Sequence, residues 1–274
     1  VGDDIETIIN RSALITSISI NDQLHYPAFA AINGGFLPII GQLFNMNTTG
    51  SAARRHAIMA YHNSRAIIAP NCGARNVSGY SIYADHNSSI CANNAIASES
   101  GYGIFAANGS IVSANNANAS NATYYGIRAI CSTISASGIN VSGSSSIGIE
   151  ASRGSTINAE NADAHGAIDY AISANNCSAI NAYNVNASES GYGVYVAGSS
   201  IVQANSINAS RAVNNGIFAA QNSMVNANSA NASESGDVGI EIHSGSIVNA
   251  YGAIGILVQN KNILTSRGII FQEE

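Results

Sequence analysis

Gly101-Tyr102-Gly103-Ile104-Phe105-Ala106-Ala107-Asn108-Gly109-Ser110-Ile111-Val112-Ser113-Ala114 recurs almost position for position as Gly191-Tyr192-Gly193-Val194-Tyr195-Val196-Ala197-Gly198-Ser199-Ser200-Ile201-Val202-Gln203-Ala204. With the apolar residue after the glycine as anchor, the repeat falls at Ile58, Ile82, Ile104, Ile127, Ile149, Ile172, Val194, Ile217 and Ile240, at intervals of 22 to 24 residues. Ten residues on comes a small apolar position, seen at Ala92, Ala114, Ala159, Ala182, Ala204, Ala227 and Ala250. A third apolar pair follows, as in Ala117/Ala119, Val185/Ala187 and Ile207/Ala209. A fixed period in this range marks stacked structural repeats.

Each repeat contains three short runs that alternate apolar and polar residues, the pattern of half-buried strands. Gly, Asn and Ser join them, and these residues tolerate the positive φ of tight bends. No helical periodicity runs through residues 57–254. The expected fold is all-β: a single-chain right-handed parallel β-helix with coils of about 22–23 residues, stacked about 4.8 Å apart. A triple-stranded β-helix, with three chains sharing each turn, is the alternative. Residues 1–56 lack the repeat and carry Pro27, Pro38 and Gly34-Gly35, so they are expected to form a leading cap. Residues 57–254 make about nine coils, and residues 255–274 a trailing cap or trimer-contact segment. Solenoids need covered ends, because open strand edges invite association.

Composition narrows the functional classes. Only 9% of the 274 residues are charged, but 46% are hydrophobic and mean hydropathy is +0.11, so the chain can bury a core. That excludes the low-hydrophobicity, high-charge signature of disorder. A net charge of −6 and pI near 5.4 argue against a nucleic-acid partner, which calls for a basic footprint. No run approaches the roughly 20 apolar residues of a membrane span, so membrane insertion is not expected. The opening Val1-Gly2-Asp3-Asp4 has neither an initiator Met nor a cationic leader, which suggests a fragment or processed product. Cys72, Cys91, Cys131 and Cys177 have no paired spacing and are expected as small, mostly buried fillers.

Stacking turns sequence columns into surface ladders. The column after the anchor, expected to face outward, runs Met59, Tyr83, Phe105, Arg128, Glu150, Ser173, Tyr195, Phe218 and Glu241. Aromatics interleaved with charges suit a sugar chain: rings cover pyranose faces while Arg and Glu bond hydroxyls or carboxylates. Tyr83, Phe105, Tyr125, Tyr195 and Phe218 are the candidate substrate-binding residues. A second column, Tyr80, Tyr102, Tyr125, Tyr170 and Tyr192, lies two residues before the anchor. Parity points it inward unless the neighbouring glycine turns the chain, and a ladder of stacked corner tyrosines is expected.

Charges gather in two places. Arg128, Glu150, Arg153, Asp163 and Asp169 occupy neighbouring coils, and the bend between the Arg128 and Glu150 coils is one residue short. Glu150 is a candidate proton donor, with Asp163 or Asp169 as its carboxylate partner; a salt-bridge ladder is the bland alternative. The second group is His62 and His86, expected to stack, with Arg65, Asp85, Arg75, Arg54-Arg55-His56 and Tyr61, Tyr80 or Tyr83 nearby. Histidine as proton shuttle, Arg against a uronate carboxylate and Tyr as acid would suit β-elimination. No third ligand joins the histidine pair at convincing spacing, so neither a metal nor a cofactor is expected. Residues 171–235 are almost free of charge outside their bends, which places the expected active site in the first six coils. Ice binding needs flat Thr ladders, and Thr is sparse and unaligned.

Coils such as Gly148-Ile149-Glu150-Ala151-Ser152-Arg153-Gly154-Ser155-Thr156-Ile157-Asn158-Ala159, and the Asn-Ala-Ser runs at 118–120, 186–188, 208–210 and 231–233, resemble bacteriophage tailspike and tail-fibre proteins of pectate-lyase-like architecture. The resemblance covers roughly residues 57–260 and rests on repeat style. It implies a homotrimer at the virion tail, acting outside the host cell on a capsular or lipopolysaccharide glycan by hydrolysis or β-elimination. A non-catalytic receptor-binding or structural fibre is the alternative. No catalytic motif transfers residue by residue.

Overall fold

The computed structural model describes residues 29–39, 43–45, 56–255, 264–266 and 269–271. They form a parallel β-solenoid with coils of about 23 residues and no helix, hence no helix able to cross a membrane. Successive strands such as Tyr102–Ala107, Tyr125–Ile130 and Ile147–Ser152 pair in register along face 1. Three-residue strands such as Ile111–Ser113, Thr133–Ser135 and Thr156–Asn158 do the same along face 2. Each of these sheets has 11 strands among the described residues. Face 3 is reduced to single bridges that run from Ile96 through Asn118, Asn140, Asp163, Asn186, Asn208 and Asn231 to Ile254. In the segments flanking residues 57–254, Phe29–Ile32 and Phe36–Ile39 add parallel strands at one end, and Leu264–Ser266 and Ile269–Phe271 at the other. Leu43–Asn45 pairs in parallel with Gly73–Arg75, and most of the rest of both expected caps lies outside the described residues.

The nine anchors are essentially fully buried, and Ala60, Ala84, Ala106, Ala129, Ala151 and Ala174 lie buried two residues further along each strand. Face 2 contributes Ile90, Val112, Ile134, Ile157, Ile180 and Val202, and the second bend contributes the expected alanines. The core is therefore thin, built of Ile, Val and Ala in columns. A coil has almost no interior of its own, so its apolar side chains are covered mainly by the coils above and below.

Parity fails at the tyrosine column for a definite reason. A Cβ on Gly126 would lie 2.5 Å from the Cβ of buried Val141, and one on Gly103 would lie 2.6 Å from the Cβ of Ala119. These glycines face the interior, as do the anchors that follow them. Two successive inward positions reset the alternation and send Tyr102 and Tyr125 outward. Buried Ser81 and Ala171 take the same place in their coils.

The first bend contains a ladder that the repeat analysis does not anticipate. Ser64, Ser88, Ser110, Ser132, Ser155, Ser178, Ser200, Ser223 and Ser246 are all buried. In each coil the serine N–H donates to the hydroxyl of the next coil's serine, at 3.0–3.3 Å. Buried backbone donors need such partners. The Asn-Ala-Ser runs have an equally local cause. Asn118 Oδ1 accepts the Ser120 N–H (3.1 Å) and hydroxyl (2.7 Å), and Asn140, Asn208 and Asn231 bond Ser142, Ser210 and Ser233 in the same way. This is an Asx turn at the third bend.

Two expectations are corrected. Cys131 and Cys177 are exposed at bends with φ of 50° and 61°, while Cys72 is buried and Cys91 intermediate. The bend positions place their side chains outside the core, whatever their polarity. Thr133 and Thr156 do stack on face 2, but their column continues as Ala179 and Ile201, so no Thr ladder forms.

Ser132→Ala removes the acceptor of the Ser110 N–H in a site closed to water. It is expected to cost about 1–3 kcal/mol, read as a lower urea or thermal midpoint. An unchanged midpoint would mean the serine ladder carries no stability.

Candidate functional site

The outer side of face 1 carries three parallel columns. One is the tyrosine column, one is the column after the anchor, and the third holds Tyr61, Asp85, Ala107, Ile130, Ser152 and Asn175. Residues at the same position stack at the inter-strand distance of about 4.8 Å, so aromatic residues there become continuous surfaces. Tyr83 and Phe105 stack with centroids 5.2 Å apart and planes 7° from parallel. Tyr80 leans on both (4.8 and 5.0 Å), and Tyr102 continues the stack to Tyr125 at 5.4 Å. In the coil after Glu150 a second group begins, with Tyr170–Tyr195 at 4.8 Å and Tyr195–Phe218 at 5.2 Å. Phe105 is only 6% exposed, so it supports its neighbours from beneath, while Tyr83, Tyr125, Tyr195 and Phe218 remain partly open.

Arg128 and Glu150 lie between the two aromatic groups, stacked one above the other. The Arg128 guanidinium sits over the Tyr125 ring, 4.4 Å from its centroid, a cation–π contact. Its Nε is 2.5 Å from Glu150 Oε2. Neither atom meets hydrogen-bond geometry with any partner, so the contact is a charge contact, not an aligned hydrogen bond. Glu150 is 8% exposed. Burial pushes its carboxyl above the usual carboxylate range, and Arg128 only partly opposes that. The expected short bend is present: Cys131 stands alone between Ile130 and Ser132, where the next coil has Arg153-Gly154.

The histidine group is assembled largely as expected. His62 and His86 meet edge to face at 4.8 Å, and Tyr61 stacks on His62 at 3.9 Å. Both histidines have φ near +54°, at the first bend, so they border face 1. Asp85 is buried and well held: Oδ2 accepts the Tyr83 hydroxyl (2.6 Å), and Oδ1 accepts Asn108 Nδ2 and the His86 N–H (both 2.8 Å). His86 Nδ1 is 3.0 Å from Asp85 Oδ1. Burial, then the bond to Asp85, holds the Tyr83 proton far above the ordinary phenol range, so Tyr83 would be a poor acid. Arg65 begins the face 2 strand Arg65–Ile68 and Arg75 ends the strand Gly73–Arg75, both away from face 1. Arg54 and Arg55 lie outside the described residues.

The expected carboxylate partners of Glu150 are dispersed. Asp163 lies on face 3, bridged to Asn140 and Asn186. It is the Asx residue of its coil: Asp163 Oδ1 meets His165 Nδ1 at 2.7 Å, where the coils of Asn118, Asn140, Asn186, Asn208 and Asn231 have Asn and Ser. That is a structural role on a different face. Asp169 is exposed beside Tyr170 and accepts the Ser146 hydroxyl at 2.7 Å. Its charge, like that of Glu150, acts to raise the Tyr125 phenol. Arg153 is exposed at the first bend with φ +56°. No group of three or more His, Cys, Asp or Glu residues that could hold a metal occurs among the described residues.

Glu241, in the column after the anchor, forms one further pair that its column does not reveal. Glu241 Oε1 is 2.6 Å from His243 Nε2, while Asn215, itself buried, donates to Oε2. Phe218 lies 5.5 Å from the His243 ring. Glu241 and His243 are two apart on one strand, a spacing that puts both on the same face, so the pair was legible in principle.

Fold and site thus define a parallel β-helix with a patterned outer face. Among known proteins, no family model and no curated sequence matches this chain.

A carboxyl that keeps its proton to higher pH in the folded state favours folding when neutral. The Glu150 contribution is therefore complete below about pH 4, the ordinary glutamate range, and fades as pH rises through the folded-state value. Glu150→Gln, which stays neutral, should flatten this part of the profile, measured as thermal midpoints across the acid range. Arg128→Met should move the Glu150 carboxyl titration, followed by carbon NMR, further upward; a downward movement would contradict the assigned balance.

Proposed function

We propose that the chain is the β-helix of a bacteriophage tailspike that binds and depolymerises a bacterial surface glycan along the outer side of face 1. The observation that carries this reading is the pair of aromatic surfaces, Tyr80 to Tyr125 and Tyr170 to Phe218, flanking Arg128 and Glu150 on one flat face. An extended sugar chain laid across the coils would meet partly open rings and the Tyr hydroxyls. Glu150, whose carboxyl burial helps to keep protonated, is the residue suited to deliver a proton to a leaving oxygen. The protein would act as one subunit of a homotrimer at the virion tail, outside the host cell and without a cofactor.

A second reading, a receptor-binding fibre with no chemistry, draws support from the engagement of the carboxylates: Arg128 faces Glu150, and Asp163 serves an Asx turn. Incubation with a panel of capsular polysaccharides and lipopolysaccharides separates the two. Binding with new reducing ends supports the depolymerase, and ultraviolet absorbance from unsaturated uronates would mark β-elimination. Tyr125→Ala and Tyr195→Ala should each weaken binding about tenfold, the size of a lost anchor contact. Glu150→Gln should keep binding and lose cleavage. Binding with no cleavage by the unmodified protein leaves the fibre, and no binding across the panel defeats both readings.

A further inference from the structure

The charges on face 1 are unevenly distributed. Among the described residues the cations of Lys or Arg are Arg65, Arg75, Arg128, Arg153 and Arg211. Arg65 belongs to face 2, Arg75 to the short strand Gly73–Arg75, and Arg211 pairs with Glu189 at 2.8 Å. Arg153, exposed at the first bend in the place that His62 and His86 take in their coils, borders the face; Arg128 is the one such cation on its strands, where it sits against Glu150. Asp85 and Glu241 stand on the face besides the Glu150 that Arg128 meets; exposed Asp169 directly precedes the strand Tyr170–Asn175, and exposed Asp237 lies three residues before the strand Ile240–His243. Besides burial, carboxylate charge acts to raise Tyr125 (Glu150, Asp169), Tyr170 (Asp169) and Tyr192 (Glu241, Asp237), and Arg128 alone acts the other way, at Tyr125.

We infer that this face selects a neutral glycan, a chain of hydroxyl- and N-acetyl-bearing sugars without uronate, sulfate or phosphate. The inference rests on the proposed glycan role of face 1 and adds its substrate class. Neutral sugars bring hydroxyls that the tyrosine hydroxyls of the face can bond as donors or acceptors, with no charge needed. A polyanion brings charges of the same sign as the carboxylates of the face, and the one Arg on its strands is already engaged by Glu150. Like charges brought together across an interface disfavour the wrong partner. The same distribution removes the main requirement for β-elimination, a cation placed against a substrate carboxylate.

The test measures binding of the full chain to three polysaccharides of matched length: a neutral hexose/N-acetylhexosamine polymer, a uronate polymer and a phosphate-bearing polymer. At an ionic strength of about 0.01 M the screening length is roughly 30 Å, so the face acts as one field. The neutral polymer is expected to bind with little salt dependence. The two anionic polymers should bind at least about tenfold more weakly and recover part of the difference as salt is added. The Asp237→Asn/Glu241→Gln double variant should narrow the gap at low salt while keeping the neutral polymer bound. Uronate or phosphate polymer binding as tightly as the neutral one at low salt overturns the inference and leaves the glycan-binding role intact. A gap untouched by the double variant overturns it too, since the selection would then arise elsewhere. No binding to any of the three removes the glycan role of the face, and the inference falls with it.

Discussion

Backbone groups of each coil bond those of the next at the inter-strand spacing of about 4.8 Å, and every other property of the molecule is subordinate to that register. The spacing leaves no latitude for a coil that drifts, because a slip of one residue would turn a strand's inward set outward. Each column must then accept nearly the same side-chain volume in every coil, which is why Ile and Val recur at the anchors and Ala at the second bend. The bends must also recur, and they do so with left-handed residues, mostly Asn and Gly, at matching places in successive coils. Where a coil departs from the consensus, as at Cys131, the missing residue is confined to a bend and the strands on either side keep their pairing.

The same register organises the polar groups. Serines at the first bend would be unfavourable as isolated buried hydroxyls, but in a ladder each accepts an N–H from the neighbouring coil. Asparagines on face 3 close Asx turns and in places bond one another, as Asn208 Nδ2 does with Asn186 Oδ1 at 3.3 Å. These neutral ladders suit a chain so poor in charge, since buried neutral groups need only be paired to be tolerated. Charged residues cannot be repeated so cheaply, because like charges would stack coil upon coil. They are scattered instead, and the buried or half-buried carboxylates of face 1 are held by local partners: Asp85 by Tyr83 and Asn108, Glu150 by Arg128, Glu241 by His243.

Much of this was legible in the residues. The anchors, the alanine positions, two of the three expected strands in each coil, the contact of His62 with His86 and the vertical pairing of Arg128 with Glu150 all follow from period alone, while the third expected strand shrinks to a single bridge in most coils. What failed, failed for identifiable reasons. The outward tyrosines depend on two consecutive inward residues at Gly126 and Ile127, which strict alternation does not allow. Asp163 looked chemical because carboxylates are rare here, whereas its Asn counterparts at the same position show a turn-forming role. Cys131 and Cys177 were judged by residue type, and position at a bend overrode it. Glu241 stands in the outward column of the ninth coil, but its pairing with His243 falls outside the first six coils, where the site was expected.

The amino-acid sequence by itself determined the solenoid, its period and the membership of each column, because a one-dimensional repeat maps directly onto a stack. Tertiary structure alone decided which columns share a face and which side chains engage one another across coils. Those outcomes depend on bend geometry and on distances between coils, which no single repeat encodes. The burial that lifts the Glu150 carboxyl and the predominance of carboxylates along face 1 arise only once the coils are stacked.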